Sequence, residues 1–246
     1  MKKEEKSPEI FIDKISTSVA QIWIKGLTPF ISNCISAKAK MALLYPKTMT
    51  AADKKNKIKH NPMKEYRDSV HRQAKGETRI VFPAAGFKGA MCNSAVEISS
   101  TSKAQVGRLL WVLGDTVNIY GIPQMWTTMV RNAGINTTPD PRTRAIIPEW
   151  ATCLKIQYVK PAINETAICR LLETAGLING VGDFHQQKGK GNYGQFTLAT
   201  KEEVADIVAM STMEAQDKAL ENPQFYDNDT EELYNWYTKE RKNRGQ

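Results

Sequence analysis

Residues 151–199 read ATCLKIQYVKPAINETAICRLLETAGLINGVGDFHQQKGKGNYGQFTLA, and this stretch decides the fold. It opens as a strand over Ala151–Val159. Alternation puts Cys153, Lys155, Gln157 and Val159 on one face and Leu154, Ile156 and Tyr158 on the other. Pro161 ends that strand. A helix follows. Asn164 is a natural N-cap, Glu165 suits the positive end of the helix dipole, and Gly176 is a natural C′ residue. Ile168, Leu171, Leu172 and Ala175 recur at helical spacing along one stripe. Glycines then stand at 176, 180, 182, 189, 191 and 194, and Gln195–Ala199 closes the stretch as a strand.

Working outward, Ser18–Lys25 (SVAQIWIK) is rich in β-formers and ends at Gly26, with Thr28-Pro29 beyond it. Thr78–Pro83 reads as a short strand. Residues 84–99 read as a helix with Phe87, Met91, Ala95 and Val96 on its apolar stripe. Residues 100–120 read as a loop, an apolar element at Leu109–Leu113, a hairpin turn at Gly114-Asp115 and a strand at Val117–Tyr120. The stretch 125–144 gives a Pro-rich turn around Pro139–Pro141 and a cluster of arginines. Thr200 and Glu203 form a capping box that predicts a helix over 201–218, and Leu233, Trp236 and Tyr237 mark a short terminal helix.

The order strand, helix, strand, strand, helix, strand is that of an α+β, ferredoxin-like fold. It predicts one antiparallel sheet with two helices on one face and the other face free for a ligand. Residues 1–200 are expected to form this domain. Residues 50–77 are expected as a charged insertion with a short helix near Met63–Gln73, and 201–246 as a helical C-terminal extension.

The 246 residues carry a formal charge of +8. Residues 220–246 hold six acids and four bases, so the body carries the excess. A basic body points to a polyanionic partner, nucleic acid first. No apolar run is long enough to cross a membrane, and the start MKKEEKSPEIF has no apolar signal core, so a cytoplasmic protein is expected. Cys34, Cys92, Cys153 and Cys169 show neither zinc-ribbon spacing nor a disulfide framework. Cys92 and Cys169 fall on helix faces as small core residues. No metal ligand set and no cofactor motif is present. The glycines follow a helix and precede a strand, the reverse of a dinucleotide fingerprint, and no GxxxxGK[ST] occurs.

The glycine-rich segment is the candidate binding loop. Gly180, Gly182, Gly189, Gly191 and Gly194 allow an anion-binding nest of backbone N–H groups. Lys188 and Lys190 add charge for phosphates, Phe184 and Tyr193 offer rings for bases, and His185 stands among them. The rest of the expected phosphate track is Lys54, Lys55, Lys57, Lys59, Lys88 and Arg131. Arg142 and Arg144 either grip phosphates with Arg131 or pair with acids in an oligomer interface.

The helix ending in Ala175-Gly176, then GVGDF, a basic spacer, GNYGQF and the last strand, resembles the glycine-rich loop of the RAMP superfamily, RNA-binding proteins of CRISPR effector complexes. The wider layout resembles uncharacterised bacteriophage proteins related to that superfamily. The matching positions are Gly26-Leu27-Thr28-Pro29, Phe82 to Lys88 with Ala90-Met91, Met129 to Asn132, Arg142 with Arg144, and Pro148-Glu149-Trp150. The resemblance implies a modified RNA-recognition-motif core, binding of single-stranded RNA or DNA, side-by-side homo-oligomers and an infected bacterial host. Phe184-His185-Gln186 departs from the aromatic-arginine-proline that related loops often carry. The expectation is a non-enzymatic nucleic-acid binder. The alternatives are a protein that docks on or mimics a CRISPR-type complex without nucleic acid, and a metal-independent endoribonuclease using His185.

Overall fold

The computed structural model describes residues 14–35, 40, 41, 44, 60–98, 101–131, 139–188 and 191–244. In chain order the elements begin with β1 (Ser16–Gly26), β2 (Phe30–Ser32), α1 (Pro62–Asp68), β3 (His71–Arg72) and β4 (Ile80–Pro83). Next come α2 (Ala84–Ile98), α3 (Lys103–Leu109), β5 (Leu110–Val112), β6 (Thr116–Asn118), β7 (Gln124–Arg131) and β8 (Pro139–Ile147). The chain continues through β9 (Ala151–Lys160), α4 (Glu165–Thr174), a π turn at Ala175–Asn179 and a single 3₁₀ turn at Gln186–Lys188. It ends with β10 (Phe196–Ala199), α5 (Ala205–Met210), α6 (Met213–Glu221) and α7 (Asn228–Asn243).

The main sheet has the order β10-β1-β9-β5, and every neighbouring pair is antiparallel. With α2 and α4 between them, these strands follow the strand, helix, strand, strand, helix, strand order. The last strand lies beside the first and the third lies between the first and the second. Even-numbered residues of β1 and β9 (Ala20, Ile24, Leu154, Ile156, Tyr158) face the two helices. They pack there with Phe87, Met91 and Ala95 of α2 and Ile168, Leu171 and Leu172 of α4. The N-cap of α4 forms as its sequence predicts: the Ala167 N–H donates to Asn164 Oδ1 at 2.9 Å. Its C-terminal end does not: the chain continues through Gly176 as the π turn, and Gly180, at φ +66°, ends it.

Dispersed motif residues meet in this core. Trp150 is fully buried, donates from Nε1 to Thr28 O at 2.9 Å, and packs with Phe30 and Phe196. Its indole occupies the space beside Gly26, where a Cβ would come within 2.1 Å of Nε1. Phe82 meets Phe30 and Phe87 edge to face, which extends the aromatic cluster.

Four expectations need correction. Gly114-Asp115 makes a turn, with Gly114 at φ +89°, but not a hairpin: β5 joins β9 in the main sheet while β6 joins β4 in another. Residues 103–109 form a helix rather than a loop, capped by Ser102. Residues 124–147 are a long antiparallel ribbon, β7 with β8, in a second sheet of order β2-β8-β7. Pro139 and Pro141 are tolerated because β2 pairs only with Ala145–Ile147, so the prolines lie where β8 has one partner.

The fourth concerns the helix expected at 201–218. The Thr200–Glu203 box forms in both directions, at 2.7 and 3.3 Å. The chain nevertheless turns at 201–204 and breaks between α5 and α6. Buried Ser211 stands at the second break: its Oγ donates to Ile207 O and accepts the Gly121 N–H at 2.6 Å, so its side chain serves the neighbouring strand connection. Thr212 then caps α6.

Residues 60–77 also carry more core than a solvated insertion allows. Tyr66 is fully buried, and its hydroxyl faces Pro123 O at 3.1 Å and Ala219 O at 3.0 Å. Burial pushes its phenol above the ordinary range.

Candidate nucleic-acid interface

The glycine-rich segment is braced against the body. Val181 N donates to Gly194 O, Asp183 N to Ile31 O, and Gly194 N to Pro29 O, at 2.8–3.0 Å. Tyr193 N donates to Phe184 O, and Phe184 N to Asp183 Oδ1. These five N–H groups are spent inside the protein and are not free to hold an anion. The glycines serve close approach instead. A Cβ on Gly194, at φ +71°, would meet Val181 O at 1.8 Å, and one on Gly191 would meet Phe184 O at 1.6 Å.

The loop aromatics turn inward. Phe184 and Tyr193 pack on Trp126 with ring centroids 5.9 and 5.6 Å apart, over buried Ile31 and Ile146. Arg144 lies beneath Phe184, 4.9 Å from its ring, and pairs with Asp183 at 2.9 Å. Both charges are mostly buried, and burial lowers the Arg144 pKa. Arg142 pairs with Asp140 at 2.8 Å, and Arg131 is exposed at the end of β7. His185 Nδ1 lies 2.8 Å from Asn179 O, so that nitrogen carries the proton. Lys188 ends the 3₁₀ turn. Lys54, Lys55, Lys57, Lys59, Gly189 and Lys190 lie outside the described residues.

The more open surface is the other face of the main sheet. Odd residues of β1 and β9 point there, as the alternation at Cys153–Val159 predicts. One end is covered: Trp23 and Ala199 pack with Tyr120, Val204, Ile207 and Val208. The remainder is accessible and laid out by register. Val19 lies opposite Gln157, and Gln157 opposite Trp111, giving one row across three strands. Gln21 lies opposite Lys155 in the next row, beside Leu113, whose N–H donates to Lys155 O. Val19 is 56% exposed, Trp111 40% and Leu113 38%. None of β1, β5, β9 and β10 contains Asp or Glu, while Lys25, Lys155 and Lys160 stand on them. Lys88 reaches in from α2, its Nζ 5.9 Å from the Trp111 ring centroid. Sequence reasoning named Lys88 but missed Trp111, Val19 and Lys155. The signal for them was the alternation itself.

Burial pushes the Cys92, Cys153 and Cys169 thiols up, which keeps them protonated at neutral pH. Among the described residues, no group of three or more His, Cys, Asp or Glu is placed to hold a metal ion, and no helix is long and apolar enough to cross a membrane.

No family model matches the chain. No curated protein matches it. Among solved structures, it is similar to a chain of the cryo-EM structure of the Type III-B Cmr-beta bound to cognate target RNA. That likeness has 14% identity and a TM-score of 0.39, and covers 75% of this chain and 59% of the other. The chain is also similar to Cmr6 from Pyrococcus furiosus, in a crystal structure, at 8% identity and a TM-score of 0.38, over 75% of this chain and 99% of that one. The chain therefore spans about three-fifths of the length of the first of these, 59%.

Proposed function

We infer that this protein is a non-catalytic binder of single-stranded nucleic acid, built on a ferredoxin-like, RAMP-type domain, and that the strand crosses the open face of the main sheet. The carrying observation is the acid-free sheet with Trp111 exposed on it and Lys88 and Lys155 alongside. An exposed indole offers a base a stacking surface of any sequence, and the lysines attract the backbone. The sheet order β10-β1-β9-β5 supports the fold reading. The glycine motif supports the superfamily, with its loop bracing the domain rather than cradling phosphate. Side-by-side assembly along the strand follows from the same reading.

The test is fluorescence anisotropy of a labelled single-stranded oligonucleotide, followed by a denaturing gel. The expected result is saturable binding that weakens with salt by about 0.7 in log–log slope per phosphate contacted, with the oligonucleotide intact. Absence of binding in low salt overturns the reading, and cleavage lost on His185→Ala replaces it with endoribonuclease activity.

A further inference from the structure

A second cationic site lies away from the sheet face, between α1 and α7. The two helices enclose an open groove of about 600 Å³ whose cations are Lys64 and Arg67 of α1, Arg72 of β3, and Arg241 and Lys242 of α7. One carboxylate, Asp68, shares the lining. Among the described residues, no carboxylate forms an ion pair with any of the five cations.

The local sequence explains how they meet. Lys64 and Arg67 are three apart on α1, so they share a side. On α7, Tyr234, Tyr237, Thr238, Arg241 and Lys242 recur at helical spacing and line the opposite wall. The 220–246 segment is acidic on balance, yet its basic residues gather at the end of α7 that meets α1. Arg67 is held in place: it donates from Nε to Leu220 O at 3.0 Å and from a terminal nitrogen to Glu221 O at 3.1 Å. Arg72 donates to the Arg67 carbonyl, which fixes its position too. The α7 wall from Tyr234 to Lys242 runs about 12 Å. That suits a short run of backbone better than one isolated anion.

The lining carries five cations and one acid, so its field favours an entering anion. We propose that the α1–α7 groove is a second binding site, taking phosphates of a single-stranded nucleic acid. A guanidinium fork matches phosphate oxygens in pairs; Arg67 spends Nε and one terminal nitrogen on carbonyls and keeps its other terminal nitrogen for the groove, while Arg241, Lys64 and Lys242 bring further cations. The proposal takes its ligand class from the nucleic-acid reading but does not depend on the sheet face.

The experiment is lysine acetylation footprinting by mass spectrometry on the full chain, with a single-stranded 20-mer, a nucleoside triphosphate, or polyglutamate as probe. The proposal predicts protection of Lys64 and Lys242 by the 20-mer. The triple variant Lys64→Gln, Arg241→Gln, Lys242→Gln should lower the salt slope of 20-mer binding by about 2. A folded triple variant with unchanged slope overturns the proposal. So does the absence of protection at saturating 20-mer, or protection by the triphosphate alone or polyglutamate alone. The sheet-face reading fails separately: Trp111→Ala binding like wild type removes that reading and leaves the groove standing.

Discussion

Lys88 of helix α2 places its Nζ 5.9 Å from the ring centroid of Trp111, so an exposed indole on strand β5 is held by a cation from the opposite layer. That contact orients the ring at the edge of the open sheet and leaves its outer surface to solvent. Replacing Trp111 with Ala should lower affinity for a single-stranded oligonucleotide by about 5- to 150-fold, the range for one base stack. The ring is 40% exposed, so Tm should change little. Anisotropy and differential scanning fluorimetry read the two effects separately.

Lys155 projects from the middle of β9, opposite Gln21. Lys155→Glu puts a carboxylate on a face whose strands have none. Binding should fall at low salt and recover in part as salt screens the repulsion, which flattens the log–log salt dependence. Lys201→Glu, in the turn after β10, is the charge-matched control and should bind more tightly than Lys155→Glu.

The Arg144–Asp183 pair closes the glycine-rich segment onto β8. Asp183→Asn leaves a mostly buried guanidinium without its countercharge, at a cost of about 3–5 kcal/mol. The variant should show lower Tm and a changed near-UV circular dichroism signal, because Phe184 and Tyr193 pack on Trp126 behind that pair.

Gln216 ties α6 to the strands. Fully buried, it accepts the Ile80 N–H at 2.8 Å and donates to Ile119 O at 2.9 Å and Gly121 O at 2.8 Å. Gln216→Ala strands those backbone groups and should cost about 3 kcal/mol in chemical denaturation. Gln216→Glu should also destabilise, since a carboxylate cannot donate to the two carbonyls.

Arg79 grips Asp217 with two bonds, at 2.6 and 2.7 Å, and holds its carboxyl below the ordinary Asp value. A lowered carboxylate pKa contributes stability that is fully present above the unfolded value of about 3.9 and is lost as pH falls through the folded value. Wild-type Tm should therefore drop more steeply than that of Asp217→Asn below about pH 4. Parallel Tm–pH curves would contradict this.

The main sheet and its two helices were legible because each element carries its own signal: alternation in β9, the Asn164 cap, and the stripe Ile168–Leu171–Leu172. The β7–β8 ribbon was not. Its prolines and arginines suggest a turn, and what makes that ribbon a wall of the core is tertiary: buried Met125, Ala145 and Ile147, Trp126 docked under the loop, and Arg144 paired with Asp183. Gly114 announced a turn correctly, but which sheet each flanking strand joins is a tertiary choice that local sequence does not encode. At the candidate site the glycines signalled a special backbone, and the structure shows that backbone spending its donors on Pro29, Ile31 and its own loop. The α1–α7 groove was hidden for another reason. Its cations lie far apart in sequence, and net charge over 220–246 masks a basic end of α7.

The most direct test is photocrosslinking of a single-stranded oligonucleotide carrying 5-iodouridine, with the adduct mapped by mass spectrometry. The account predicts adducts on Trp111 and its neighbours in β5 and β9, suppressed by unlabelled oligonucleotide and lost at high salt. Saturable binding with adducts confined to residues off the main sheet would contradict it.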